Sequence, residues 1–497
     1  MSIQSIPRVD PGYQYRLQGE YAADTLRFCY QCGTCTSVCP ISKFLSEYRP
    51  NKMLELTKLG IRNLPQSNAF LFCSACTLCT RGCPQGVHVH EVFQVLKEQA
   101  HDDPAVIAYV HNQFPQALST LAKGIPLPVA YTWVCLNPAE EEGDTDAARI
   151  AYKASIRKVM EDYLVQPLPQ PLSTAKDAAR VAVIGSGPAG LTAAWYLAHA
   201  GLKVTVYESL PAMGGMLRTG IPEFRLPKEF LDREIARLEA LGIRLLTNTP
   251  ITKETFANLL ADGSCNDDQY QAVFIASGAY SSRKLRLEGE EYTGVLTAVE
   301  FLKEFNLNGS VAVGQNVVVI GGGNVATDAA GVAARSGAKS VRLFCLEDRD
   351  LMPAHEWEIT DIIHAGVEVN PGWGPKAILG VDGRVENVEF MRCLSVTDSS
   401  GRFAPRYDES KTIVADVDTL ITAIGQGPDL SFLADNIERF RGAVQVDPYT
   451  METNMLGIFA AGDAVAGTAS MVEAILGGKK AADSIIGYLS AKEAYGR

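Results

Sequence analysis

The chain has 497 residues, enough for about three domains, and its hydrophobic and charged fractions, 47% and 21%, are those of an ordinary globular protein. The balance of 45 basic against 57 acidic side chains gives a net charge of −12 without long single-sign runs, which argues against nucleic acid as a partner. The most apolar long stretch, Val181 to Val206, is broken by Ser186, Thr192, His199 and several glycines, so no membrane span is expected.

Toward the N-terminus, 8 of the 12 cysteines form two copies of one spacing, Cys29-x2-Cys32-x2-Cys35-x3-Cys39-Pro40 and Cys73-x2-Cys76-x2-Cys79-x3-Cys83-Pro84. This is the run that holds 4Fe–4S clusters: three thiolates two residues apart wrap one cube, and the fourth, followed by proline, leaves in another direction. In two-cluster ferredoxins that fourth cysteine serves the other cluster. On that pattern Cys29, Cys32, Cys35 and Cys83 hold one cluster, and Cys73, Cys76, Cys79 and Cys39 hold the other. Paired C-x-x-C motifs also suit zinc, but the repeated third cysteine and trailing Cys-Pro argue against it. A disulfide framework is not expected, because the start Met-Ser-Ile-Gln has neither a basic nor an apolar leader segment. An oxygen-sensitive cluster domain without a leader points to the cytoplasm.

Apolar residues at helical spacing predict helices over Asn51 to Leu59 and His90 to Ala100, making residues 1–110 a small, mostly helical two-cluster domain. Residues 111–175 read as a connecting segment with many prolines, the acidic run Glu140-Glu141-Glu142 and one helix, Ala147 to Tyr163. Pro167, Pro169 and Pro171 form its exit. From Arg180 onward, apolar strands alternate with amphipathic helices, which is the pattern of parallel α/β domains.

Val181 to Ile184 is a buried-strand run, followed by Gly185-x-Gly187-x-x-Gly190, a helix reaching Ala200 and a second strand, Val204 to Tyr207, closed by Glu208. Gly185 permits the tight turn, Gly187 lets backbone approach a pyrophosphate, Gly190 lets helix pack on strand, and Glu208 can accept from ribose hydroxyls. The same grammar returns at Val317 to Ile320, Gly321-x-Gly323-x-x-Ala326, a helix to Arg335 and a strand at Val341 to Cys345. Two fingerprints call for two dinucleotides, and FAD with a nicotinamide is the natural redox pair.

Thr453 to Asp463 resembles the strand-plus-acid segment that reaches the FAD ribityl chain in flavin disulfide-reductase-type folds. That likeness assigns FAD to the first fingerprint, in a domain split over residues 176–282 and 425–497. The NAD(P)H-binding domain, residues 283–424, is inserted between the halves. The expected fold is α/β, with two Rossmann-like domains after the helical cluster domain.

From about Arg180 the chain resembles the glutamate synthase small-subunit family of flavoproteins, which includes the flavin half of dihydropyrimidine dehydrogenase. The resemblance is carried by Gly185-Ser-Gly-Pro188-Ala189-Gly190, the stretch Gly214 to Lys228, Ala276-Ser-Gly-Ala279, Gly321-Gly-Gly-Asn324-Val325-Ala326, Ala423-Ile-Gly425-Gln426 and Ala461-Gly462-Asp463. It implies that Gly215, Leu217 and Arg225 line the flavin and that Ala279 and Gly425 lie near the dinucleotide ends. Asp463 and the helix opening at Ser470-Met471-Val472 would stabilise reduced-flavin charge, although Met471 and Ile475 also fit ordinary helix packing. Residues 25–100 resemble instead the C subunit of heterodisulfide reductase, a relay to a partner that holds the substrate site.

NADPH-using relatives carry two arginines ahead of a Met-Pro pair; counting back from Met352-Pro353, this chain has Leu346 and Glu347. Glu347 can accept from a free 2′-hydroxyl and would repel a phosphate, which predicts NADH unless Arg349 or Arg342 reaches the phosphate instead. Cys135, Cys265, Cys345 and Cys393 are isolated, so no redox dithiol is expected and they read as small core residues. His355-Glu356 lacks a second histidine at Ile359, and all 7 histidines read as structural or surface residues.

The expected function is hydride exchange between NADH and FAD, with single electrons relayed through both clusters to a partner protein. A heterodisulfide reductase-like or electron-bifurcating complex is the setting these resemblances suggest. The alternative is a self-contained NADPH-dependent oxidoreductase with its own small-molecule substrate.

Overall fold

The computed structural model describes residues 9, 10, 13, 24–138, 145–259 and 270–495. The acidic run at residues 140–142 and Cys265 lie outside them. The N-terminal part is helical: Pro50–Lys58 buries Met53, Leu54 and Leu56, and Val89–Glu98 buries Val92, Phe93 and Leu96. Between them Phe70, Leu71 and Phe72 are wholly buried, so the cysteine loops are anchored on apolar packing.

Four helices follow, Pro104–Asn112, Phe114–Leu121, Pro128–Leu136 and Ala147–Leu164, where the sequence suggested one. Pro104, Pro115 and Pro128 open three of them, at first-turn positions where a missing N–H costs nothing, so these prolines start helices. The segment packs firmly on its neighbours. Its core is continuous with that of the cluster domain and the first nucleotide domain. The buried Glu234 carboxylate accepts from Val129 N–H at 2.6 Å and Ala130 N–H at 2.9 Å, capping Pro128–Leu136 from a helix about a hundred residues away. Leaving either buried N–H unpaired would cost about 1–3 kcal/mol.

The first nucleotide domain is a parallel sheet in the order Ile458–Ala460, Ala272–Ile275, Arg180–Ile184, Lys203–Tyr207, Arg244–Leu246. Its outer strand comes from the C-terminal part of the chain. The closing helix Met471–Tyr495 lies close on Pro188–His199, where a Cβ at Gly478 would stand 2.2 Å from Ala189 O. The second sheet, also parallel, runs Val295–Thr297, Thr419–Thr422, Asn316–Ile320, Ser340–Cys345, Glu368–Pro371. An antiparallel sheet of Trp373–Val381, Arg384–Thr397 and Phe403–Asp416, which the sequence reading did not single out, covers one face of the second sheet. Phe344 and Phe390 stack there at 4.0 Å.

The chain leaves the first nucleotide domain at Ser281–Ser282 and returns at Gln426–Gly427, and these two short strands pair with each other. Among the described residues no helix is long and apolar enough to cross a membrane.

Candidate cofactor sites

Each cysteine run folds as a tight loop with left-handed backbone at two equivalent places: Gln31 and Gly33 at φ 63° and 81°, Ala75 and Thr77 at φ 53° and 64°. Three of those residues carry a side chain, so the loops store strain of the kind kept at ligand sites. Ala75 N–H donates to the Cys73 sulfur and Val87 N–H to that of Cys83, both at 3.4 Å.

The runs exchange their last cysteines. Cys29, Cys32, Cys35 and Cys83 line one cavity, and Cys39, Cys73, Cys76 and Cys79 line the other. Cys32 is exposed, making the first cavity the outer one, whereas Cys39, Cys73 and Cys79 are buried around the second. Burial pushes the Cys35 thiol up to about 12 and that of Cys76 up to about 11, while the Thr34 hydroxyl draws exposed Cys32 down. Among the described residues no three His, Cys, Asp or Glu side chains are grouped to hold a single metal ion. Four cysteines around a wider hollow fit an iron–sulfide cube, which supplies the positive charge that buried thiolates require. His90 also lines the inner cavity, hydrogen-bonded to Thr80 Oγ1 at 2.7 Å; cysteine spacing gave no hint of it.

The first fingerprint borders a cavity of about 510 Å³ whose wall includes Gly185, Gly187, Pro188, Ala189, Glu208, Gly215, Leu217, Ala279, Gly462, Asp463 and Met471. A Cβ on Gly185, at φ 102°, would meet Ala276 O at 2.3 Å, and one on Gly190 would meet Gly185 O at 2.0 Å. Gly190 therefore acts by packing behind the wall. Among the described residues Gly187 has nothing within 4 Å of its absent Cβ, so this glycine keeps open a cradle a side chain would fill, as a pyrophosphate requires. Glu208 is held beneath the loop, accepting from Ser186 Oγ at 2.5 Å and from Leu210 N–H at 2.9 Å. Ser277 Oγ is buried on this wall without a partner among the described residues, a polar atom left for a ligand. Burial pushes the Asp463 carboxyl up to about 6, against the Ala469 N–H that draws it down.

Ser470 and Glu473 cap the closing helix reciprocally, Ser470 Oγ donating to Glu473 Oε2 at 2.7 Å and Glu473 N–H reaching Ser470 Oγ at 3.4 Å. This fixes the helix N-terminus at the cavity wall. The Glu473 carboxylate is near enough to Cys76 to add to the burial that raises its thiol.

The second fingerprint borders a cavity of about 1420 Å³ lined by Gly321, Gly323, Asn324, Val325, Glu347 and Gly425, with Ala326 buried behind it. Gly323, like Gly187, faces open space. A Cβ at Gly322 would stand 2.9 Å from Glu347 Oε2, which puts that carboxylate directly beside the glycine loop. Arg349 is committed to Glu356 through two bonds of 2.8 and 2.6 Å, and Arg342 donates to Asp416 O at 2.7 Å. Arg283, Lys284 and Arg286 also line the cavity; the sequence reading missed them because they follow the crossing strand rather than a fingerprint. Ala469 lines both nucleotide cavities.

Arg225 is absent from the wall of the first cavity. Its guanidinium turns the other way, to Asp328 Oδ1 and Glu358 Oε1 of the inserted domain, each at 2.5 Å.

Residues 179–478 match the family described as pyridine nucleotide-disulphide oxidoreductase, and residues 28–88 match the 4Fe-4S dicluster domain. The chain belongs to the pyridine nucleotide-disulphide oxidoreductases. This oxidoreductase is 33% identical to the NADP(+)-dependent formate dehydrogenase subunit beta of Moorella thermoacetica, over 83% of its own length and 60% of that subunit. It thus spans less than two thirds of that relative. Against the NADPH-Fe(3+) oxidoreductase subunit beta of Geobacter sulfurreducens the identity is 31%, covering 95% and 72%. The glutamate synthase [NADPH] small chain of Azospirillum brasilense is 31% identical, covering 84% of this oxidoreductase and 88% of that chain. The structure of Mycobacterium tuberculosis FprA in complex with NADPH superposes on 64% of the oxidoreductase and 86% of FprA, with a TM-score of 0.54 and 18% identity, a likeness of fold.

Proposed function

We propose that the chain is an iron–sulfur flavoprotein subunit that exchanges a hydride between NADH and FAD and relays single electrons through two 4Fe–4S clusters to a partner protein's catalytic site. When bound, FAD supplies the conversion between two-electron hydride chemistry and the one-electron chemistry of clusters. Gly187 and Gly323 keep the two pyrophosphate cradles open, and the two exchanged cysteine sets hold the clusters.

The loop Thr468–Met471 carries this reading. Ala469 lines both nucleotide cavities, and Val472 and Ile475 of the helix the loop opens lie in one continuous core with Cys39, Cys73 and Cys79 of the inner cysteine cavity. That adjacency supports an electron route entering at the second fingerprint and leaving at the outer cysteine cavity. The helix N-terminus at Ser470 and Met471 offers partial positive charge to a reduced ring system. Tyr30, which lines the outer cavity, is 58% exposed, and Phe28, next to Cys29 in the chain, is 50% exposed, an apolar surface that suits partner docking.

Glu347 beside the glycine loop supports NADH, although the relatives' names carry NADP(+) or NADPH; Arg349 and Arg342, the two arginines the sequence offered for a 2′-phosphate, are engaged elsewhere. Anaerobic protein loaded with its cofactors should oxidise NADH with a viologen dye but show no turnover with small natural acceptors. Turnover with such an acceptor would favour a self-contained enzyme. Dye inactivity with full cofactors would overturn the proposal.

A further inference from the structure

The stretch Gly214 to Lys228 has two faces. Leu217 and Ile221 line the first fingerprint cavity, while Phe224 and Arg225 reach into the inserted domain. Arg225 bonds Asp328, on the fingerprint helix Asn324–Arg335, and Glu358, on the helix Glu356–His364. All three side chains are largely buried, at 17%, 9% and 3% exposure. Three further contacts surround the triad: the Arg335 guanidinium lies 4.3 Å over the Phe224 ring, Asn306 Nδ2 donates to Thr219 O at 2.9 Å, and Thr327 Oγ1 stands 3.5 Å from Glu358. Lys228 Nζ ties the loop internally, donating to Leu217 O at 3.0 Å and Ile221 O at 2.5 Å.

The covalent link between the two nucleotide domains is slight, two strands of two residues each. Such a link leaves relative rotation open, and a hydride moves only when donor and acceptor rings are held at contact distance. Arg225 faces two buried carboxylates that would repel each other without it.

We propose that Arg225 is a positioning residue whose ion triad with Asp328 and Glu358 holds the inserted domain in the orientation required for hydride transfer between the two cavities. The proposal rests on the reading that NADH reduces FAD here: one hydride and one proton enter the flavin as NADH becomes NAD⁺. Arg225 touches neither cavity, so its effect falls on the transfer rate and not on nucleotide affinity.

Two variants test it. Arg225→Met with Asp328→Asn and Glu358→Gln removes all three charges at once, avoiding the stranded buried charge of a single substitution. Arg225→Lys keeps one charge, with a head that cannot serve both acids in a fork, and remains informative should the triple variant fold poorly. Anaerobic stopped-flow mixing with NADH should show flavin reduction slowed on the order of a hundredfold in the triple variant and by less in Arg225→Lys, with half-saturating NADH unchanged. Hydrogen exchange should rise in Asn324–Arg335 and in the facing stretch 214–228, with flavin and iron contents retained. Parent-like reduction rates and parent-like exchange in either folded variant would overturn the proposal. A parent chain whose flavin NADH leaves oxidised would instead overturn the functional reading, and the proposal with it.

Discussion

Cys83 lines the same cavity as Cys29, although 54 positions separate them and Cys83 follows its own run without a break. Cys39 makes the reciprocal move into the inner cavity. Replacing Cys83 with serine should therefore degrade the outer cluster and leave the inner one intact, and Cys39→Ser should do the opposite. Iron content with electron paramagnetic resonance of each reduced variant checks this; damage confined to the run that carries the substitution would refute the exchange.

Gly187→Val should separate flavin from clusters. Nothing among the described residues lies within 4 Å of the added Cβ and the backbone, at φ −68°, accepts a side chain, so the fold should survive with the cradle filled. The expected product retains both clusters and loses nearly all flavin. Gly190→Val is different in kind, because its Cβ would stand 2.0 Å from Gly185 O, and it should unfold the domain at lower temperature.

On the proposed reading, nicotinamide choice turns on Glu347. The unaltered chain should show higher kcat/KM with NADH than with NADPH. Glu347→Arg should move the ratio toward NADPH by on the order of tenfold, since the new cation would replace repulsion of a 2′-phosphate with attraction. A preference for NADPH in the unaltered chain would refute the role given to Glu347.

Acid should destabilise the fold through His355, which stacks on Trp357 at 4.1 Å between rings. Burial, aided by the Arg225 and Lys97 charges, holds its imidazole down to about 4. A histidine in the unfolded chain titrates near 6.5, so the unfolded state binds the proton first. The contribution is therefore whole above about pH 6.5 and is lost as pH falls from there toward 4, amounting to about 2 kcal/mol by pH 5. Melting temperatures from pH 7 to pH 5 should fall less steeply in His355→Gln than in the parent; parallel curves would contradict the assignment.

The parts of this molecule legible in its sequence are those written in short spacings. Cysteines two and three residues apart and glycines at fixed offsets after an apolar strand place both cysteine loops and both fingerprint helices within a residue or two of where they stand. Arg225 was not legible in this way, because its partners Asp328 and Glu358 are 103 and 133 positions distant and no local pattern pairs them. Nor were the helices opened by Pro104, Pro115 and Pro128, since a proline is read as a breaker until its place in the first turn is known. Ser277 matters through the first nucleotide cavity and Ala469 through both, and only the folded chain brings these walls together.

The most direct measurement is freeze-quenched electron paramagnetic resonance after anaerobic mixing with NADH, comparing the parent with cluster-loaded, flavin-free Gly187→Val. The parent should develop reduced 4Fe–4S signals, while the variant should stay silent with NADH yet respond fully to dithionite. Cluster reduction by NADH in the variant as fast as in the parent would contradict a flavin between nicotinamide and clusters.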